Sequence, residues 1–425
     1  MLYRRIELLF GRYYLAGVIR YTASSRMLVF FVALMLSPTA VWSTDMVIRI
    51  AHISVEQTAH VPLSLMEPVL DDSGFTGAEQ GISDNNTTGR FTGQRFELIA
   101  KSLPQAASPA EAFRQLHNSG VRLFLLDLPA PQLLALSDLP QAQDSLLFNI
   151  GTADDRLRGK GCRANLLHTA PSRAMLADAL AQYLAWKRWR EWFLVVGRHP
   201  EDRAFAAALQ RAGKRFGGKV VERKDWTFKP GARRTDSGHT RAQQEVNSFT
   251  QVDDHDILLV ADERDEFGEY LSYRTYLPRP VGGTQGLVPR AWHRVHEQWG
   301  ATQFQNRYKR KTGRWMTDRD YAAWIAVRSI GEAATRTRST DAAGLRQYML
   351  GAEFKLAAFK GSPVTYRDWN GQLRQPLLIT SPRVLVSVSP QKGFLHQSSV
   401  LDTLGYDRPE SECRAFESRS PPISN

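Results

Sequence analysis

Arginines gather in this sequence wherever an apolar run ends. "FNIGTADDRLRGKGCR", residues 148–163, places Arg156, Arg158, Lys160 and Arg163 directly after a strand-like apolar segment. The polar loop after Trp192–Val196 adds Arg198, His199 and Arg203, and "ADERDEFG" adds Glu263 and Arg264. "GGTQGLVPRAWHR" contributes Thr284, Gln285, Arg290 and Trp292. Guanidinium groups fork onto carboxylates through paired charge-assisted hydrogen bonds, and an indole offers a flat face to a planar ring. Gathered in one place, these side chains would grip a planar polycarboxylate. That is chemistry of binding, not of turnover.

Motifs for turnover are missing from the sequence. No G-x-G-x-x-G lies between a strand and a helix, and no Walker A segment occurs, which argues against a nucleotide enzyme. A G-x-S-x-G elbow and an H-E-x-x-H pair are likewise absent. His293 and His296 sit three apart near Glu297, the spacing of a solvated helix face, with no evident third metal ligand. The basic-aromatic stretch "AWKRWREWF" reads as a helix end that packs Trp186, Trp189 and Trp192 while Lys187, Arg188 and Arg190 face water, not as a nucleic-acid surface. The expected protein is therefore not an enzyme, needs no cofactor or metal, and binds no nucleic acid.

The elements that must position these loops alternate between two periods. Trp192–Val196 is a continuous apolar run; Phe205, Leu209, Ala212 and Phe216 then recur at helical spacing until Gly217-Gly218 stops them. Strand, loop, helix, strand is a parallel α/β unit. The same alternation fills residues 46–165 and again 168–283, and "PVTYRDWNGQLRQPLLIT" reads as a hairpin across Asn370-Gly371. Two doubly wound parallel sheets joined by a hinge follow, and ligands of such sheets sit outside the strand C-termini. The arginine-bearing loops occupy those ends.

The 425 residues suffice for two domains, and the 43% hydrophobic content is that of a globular chain. "MLVFFVALML", residues 27–36, preceded by Arg20 and Arg26 and followed by Ser37, Pro38 and "TAVWS", has the layout of a signal peptide cleaved near Ser43. Removing residues 1–43, with five arginines and one glutamate, lowers the net charge from +12 to +8. The mature chain is then expected to be secreted, not embedded in a membrane, and monomeric. In an oxidising compartment Cys162 and Cys413, the two cysteines of the chain, are expected to form a disulfide.

"GAEQGISDNNTTGRFTGQRFEL" resembles the first unit of type I periplasmic binding proteins of the branched-chain amino-acid receptor class: a helix ending in an Asn-rich turn, then a glycine-rich turn, here Gly89 and Gly93, and a strand. "HTAPSRAMLADALAQYL", "FLVVGRHPEDRAFAAALQRAGKRFGGKVV", "DYAAWIAVRSIGEA" and "GSPVTYRDWNGQLRQPLLI" extend the resemblance over most of residues 46–382. The stretch "RPVGGTQGLVPRAWHRVHEQWGATQFQNRYKRKTGRWMTDRDYAAW" and the tail "GFLHQSSVLDTLGYDRPESECR" look like the branch associated with pyrroloquinoline quinone (PQQ)-dependent alcohol dehydrogenase systems. The resemblance implies a periplasmic two-lobed receptor binding PQQ or another small planar anion between its lobes, with an ABC permease or a PQQ-dependent dehydrogenase as partner. A small aromatic or alcohol-derived carboxylate is the alternative ligand, and an accessory or enzyme of the dehydrogenase the alternative role. Where amino-acid receptors carry small hydroxyl residues, "LLDLPAP" carries Asp127, which disfavours an α-amino acid. The expected boundaries are 45–166 with 284–345 for lobe one, 167–283 with 346–388 for lobe two, and 389–425 for the tail.

Overall fold

The computed structural model describes residues 46–56, 70–227 and 245–417, so the expected signal peptide, residues 1–43, lies outside the described residues. The first block runs β1 (Met46–Val55), α1 (Phe75–Thr92), β2 (Gln94–Leu103), α2 (Pro109–Asn118), β3 (Leu123–Asp127), α3 (Ala130–Ser137), β4 (Leu146–Asn149) and β5 (Leu166–His168). Its strands pair in parallel in the order β2-β1-β3-β4-β5. The second block runs α4 (Arg173–Lys187), β6 (Glu191–Val196), α5 (Pro200–Phe216), β7 (Lys219–Asp225), β8 (Ile257–Ala261) and β9 (Val281–Gly283), with parallel order β7-β6-β8-β9. β10 (Val288–Arg290), α6 (Ala301–Thr312), α7 (Asp318–Thr337), α8 (Ala342–Leu350), β11 (Thr365–Tyr366), β12 (Leu373–Arg374), β13 (Leu377–Ser381) and β14 (Val384–Ser389) complete the chain. The two doubly wound sheets are those the alternation predicts.

Strands β3 and β8, "LFLLD" and "ILLVA", are buried along their whole length, because helices cover both faces of a parallel sheet. Helix α5 starts with Pro200 at its first position, where no amide proton is missed, and stops at Gly217 in a left-handed conformation with φ 80°. Helix α7 opens on a reciprocal cap between Thr317 and Asp320. α1 and α7 pack together over the first sheet, and α4 packs against α5 over the second.

Two expectations need correction. Helix α1 does not end at Asn86 but continues through Gly89 to Thr92, capped by Gly93 at φ 65°. The asparagines are not turn formers here: Asn85 donates to the Val327 carbonyl, and Asn86 exchanges hydrogen bonds with the backbone of Phe96. The lobe boundaries shift too. β10, expected in lobe one, pairs antiparallel with β13 in a three-stranded sheet that packs on α4. α8, partly assigned to lobe two, packs on α7 and β4.

The hairpin turn holds Gly371 at φ 69°, and a side chain there would also strike Phe416 and Leu167. Its neighbour Gln372 pairs with His168 at the edge of the first sheet. The tail after β14 wraps back over α4: Ser389 donates to the Ala179 carbonyl, Gln182 to Thr403, and the Gly405 amide to buried Asp178. Cys162 and Cys413 are disulfide-bonded with 5.6 Å between their Cα atoms, tying the tail to the loop before β5. Among the described residues no helix is long and apolar enough to cross a membrane.

Candidate functional site

The C-terminal ends of both sheets converge on the loop Ile150–Asp155, which follows β4. On one side of it lies Asp127, the last residue of β3. Gly151 leaves room for that carboxylate, since an added Cβ would sit 2.2 Å from Asp127 Oδ1. Arg319, in the first turn of α7, pairs with Asp127 at 3.0 Å. Burial raises the Asp127 carboxyl above the usual carboxylate range, and the Arg319 charge pulls it back. Beside them His52 of β1 is 2% exposed, and its Nε2 has no hydrogen-bond partner in the protein. Burial, reinforced by Arg319, pushes the His52 imidazole down to about 4, so the ring is neutral.

Across the loop stands Arg173, the first residue of α4, whose backbone amide donates to the Ala153 carbonyl. Its guanidinium makes a bidentate pair with Glu263 of the second sheet, both contacts at 2.6 Å. The next amide, of Ala174, donates to Asp155, so the start of α4 is anchored on the first lobe while its first side chain reaches into the second. Asp202 completes this wall: its carboxylate accepts from the backbone amides of His199 and Glu263. Each sheet therefore ends in an arginine–carboxylate pair, and the two pairs flank one loop. Such pairs can exchange partners with a ligand carboxylate.

The structure gives most of the expected ligand residues local partners instead. Arg156 is largely exposed and pairs with Asp154 at 2.5 Å. Arg158 is 3% exposed and donates to Gln372 and to the carbonyls of Thr152, Asp154 and Ala170, a structural set that leaves little for a ligand. Arg198 and His199 both hold Glu266, at 3.2 and 2.9 Å; Arg203 donates to the Arg198 carbonyl; and Arg264 faces Glu201 at 3.6 Å. Thr284 stitches β8 to the turn after β9 through Val260 and Asp262, and Gln285 donates to Asp265.

Trp292 is corrected outright. It is 1% exposed, stacked on Tyr321 at 4.4 Å and edge-on to Phe304 and His296, so it presents no free face to a ligand. Trp292→Ala should accordingly cost about 3 kcal/mol of stability; a denaturant titration showing less than about 1 kcal/mol would return the indole to the binding wall.

Arg156 and Arg158 touch the convergent loop through Asp154 and the Thr152 carbonyl, but Glu263 and Asp127 are the expected residues that enter the two arginine–carboxylate pairs beside it. Their partners Arg173 and Arg319, and the orphaned His52, were not anticipated from sequence. Arg173 and Arg319 sit inside the first turns of helices, where a charge reads as solvated; the Ser172 and Thr317 caps just before them were the available signal. Among the described residues no group of three or more His, Cys, Asp or Glu side chains is arranged to hold a metal ion.

Residues 69–236 match the model of the family described as periplasmic binding protein. No curated protein matches the chain in sequence. Among solved structures, the chain is similar to a branched-chain amino-acid ABC transporter periplasmic ligand-binding protein from Burkholderia xenovorans, with 16% identity, TM-score 0.64, and 87% of this chain and 100% of that one covered. It is also similar to an ABC transporter solute-binding protein from R. palustris in complex with benzoate (11% identity, TM-score 0.59, 87% and 99% covered). A third, from Rhodopseudomonas palustris BisB5 in complex with 3,4-dihydroxy benzoic acid, aligns at 13% identity and TM-score 0.55, with 79% and 93% covered. The fold is thus the two-lobed α/β fold of type I periplasmic binding proteins.

Proposed function

We propose that this chain is a periplasmic solute-binding protein of the ABC-transporter type that takes up a small planar carboxylate between its lobes and does not transform it. The observation that supports this reading best is the pair of arginine–carboxylate contacts, Arg319–Asp127 and Arg173–Glu263, on either side of the Ile150–Asp155 loop. Closure by hinge bending would bring a ligand carboxylate against both guanidinium groups at once. Burial of Asp127 disfavours a second free anion there and leaves it suited to a ligand hydroxyl or amine.

Two similar structures hold benzoate and 3,4-dihydroxy benzoic acid, which favours an aromatic acid as the ligand class. The sequence likeness to PQQ-linked binding proteins makes pyrroloquinoline quinone, a planar tricarboxylate, the larger member of that class to try first. Delivery to a permease or to a PQQ-dependent dehydrogenase would follow.

Fluorescence titration of the chain lacking residues 1–43 with PQQ, benzoate and 3,4-dihydroxybenzoate should give saturable one-to-one binding of at least one of them, with no product. Arg173→Gln and Arg319→Gln should each weaken that ligand ~30-fold or more, because each substitution strands a charge in a desolvated site. Arg156→Ala and Arg264→Ala, on already paired surface arginines, should change affinity less than twofold. If both sets behave alike, the site is elsewhere.

A further inference from the structure

Besides the tail, which packs on α4 and is held to the first lobe by the Cys162–Cys413 bond, three stretches of chain join the lobes: residues 169–172 from β5 into α4, 291–300 from β10 into α6, and 375–376 from β12 into β13. Buried side chains tie these connections to one another. Gln375, 0% exposed, donates to the Thr169 carbonyl at 2.9 Å, and Gln372 and Arg158 both donate to Ala170, so the first connection is bonded to the third. Where the paired strands β10 and β13 give way to the second and third connections, Lys360 Nζ joins them by donating to the Ala291 carbonyl and to the Pro376 carbonyl, the latter at 3.0 Å.

We infer that Lys360 is a positioning residue for solute binding: it bolts the second and third inter-lobe connections to lobe one and so sets how far the ligand-free protein opens. The root of the bolt is fixed. Phe359 stacks on Phe304 at 4.6 Å, Tyr321 Oη donates to the Ala358 carbonyl at 2.6 Å, and Leu356 pairs with Val364, all on the lobe-one side. The tip, by contrast, grips backbone that leads into lobe two. Opening the lobes displaces Ala291 and Pro376 relative to α6 and α7, and one ammonium must either follow both carbonyls or release one.

The choice of lysine supports a role beyond filling space. Lys360 is 2% exposed and no carboxylate hydrogen-bonds it; its charge rests on the two carbonyls, on the faces of Tyr321 and Trp292, whose ring centres lie 5.2 and 5.9 Å away, and on the field of the Asp318 carboxylate. Burial pushes the amine down to about 7, which shows how much solvation it forgoes. A methionine would occupy the same volume without that penalty, so the donors at the tip are the part of the side chain the hinge uses.

Spin labels on Arg95→Cys and Lys219→Cys, exposed positions on the two outer strands β2 and β7, report the inter-lobe distance in the absence of any ligand. One narrow distribution is expected for the otherwise unaltered chain. Lys360→Met should add a second, longer-distance population, whereas Lys360→Gln, whose amide still offers two protons, should stay close to the parent. The affinity arm rests on the solute-binding reading and uses PQQ and benzoate: Lys360→Met should bind ~10-fold more weakly and Lys360→Gln within threefold. A merely structural lysine would lower stability and leave the distance distribution unchanged, and that outcome in a folded Lys360→Met overturns the proposal, as does a glutamine variant as broadened as the methionine one. Should the distance arm behave as expected while neither compound binds, the bolt stands and the ligand reading falls. If Lys360→Met does not fold, hydrogen exchange of the unaltered chain decides. Amides 291–293, 375, 377 and 378 should exchange far more slowly than amides 352 and 353 of the exposed turn after α8, and exchange at equal rates rejects the bolt.

Discussion

Replacing Cys162 and Cys413 together by serine will lower the unfolding free energy by about 5 kcal/mol. The bond closes a loop of 251 residues, and in the chain-entropy account the gain grows with the logarithm of loop length, so few single contacts in the molecule constrain the unfolded chain more. The tail will not be released outright. Asp402, 1% exposed, holds both Arg367 and Arg374, and Asp178, 0% exposed, holds Arg211, Arg215 and the Gly405 amide. The serine variant should therefore remain folded with a lower urea midpoint and a somewhat steeper slope, because the unfolded chain without its cross-link exposes more surface. A loss below about 1 kcal/mol would mean that the ion pairs alone hold the tail, or that the unfolded chain is already compact.

The buried histidines should make stability fall between pH 6.5 and pH 4, offset in part by Asp178, whose carboxyl burial raises to about 6 so that its protonation favours the folded state in the same window. His52 is buried neutral, with its pKa lowered from 6.5 to about 4. A base whose folded pKa is depressed binds protons more readily when unfolded, so its contribution is intact above the unfolded value, begins to be lost below 6.5, and is exhausted near 4. The depression corresponds to about 3 kcal/mol for His52 alone. His296, fully buried against Trp292 and donating its Nε2 proton to the Phe359 carbonyl, is likewise pushed down to about 4 by burial and adds loss in the same window. Denaturant titrations at half-unit steps of pH measure this directly. His52→Leu should flatten the slope by roughly one proton; if its slope matches that of the parent chain, His52 is not the group that titrates.

Both sheets were legible because their strands are written as unbroken apolar runs: "LFLLD" and "ILLVA" have one reading whatever surrounds them. The hairpin at Asn370-Gly371 was legible for the same local reason. What failed was partnership. Arg156, Arg198 and Arg264 were read as free cations, yet Asp154, Glu266 and Glu201 meet them in the same few loops. Trp292 follows a glycine-rich loop and looks available; only the arrival of α7 covers it with Tyr321. Arg319 meets Asp127 across almost two hundred positions of chain, and no local pattern announces that encounter. β10 was misassigned because three residues carry no signal for which sheet they will join.

The tail's covalent anchor also orders events during synthesis. Among the 425 residues Cys162 has one possible partner, Cys413, made 251 residues later and after every strand of both sheets. Among these residues no incorrect pairing is open to either cysteine, so shuffling has nothing to correct. A free thiol at Cys162 therefore marks a chain whose C-terminus has been lost or has not yet docked. A thiol-specific reagent would distinguish finished molecules from prematurely ended ones without any measurement of binding, making the bond a record of completed manufacture as well as a clamp.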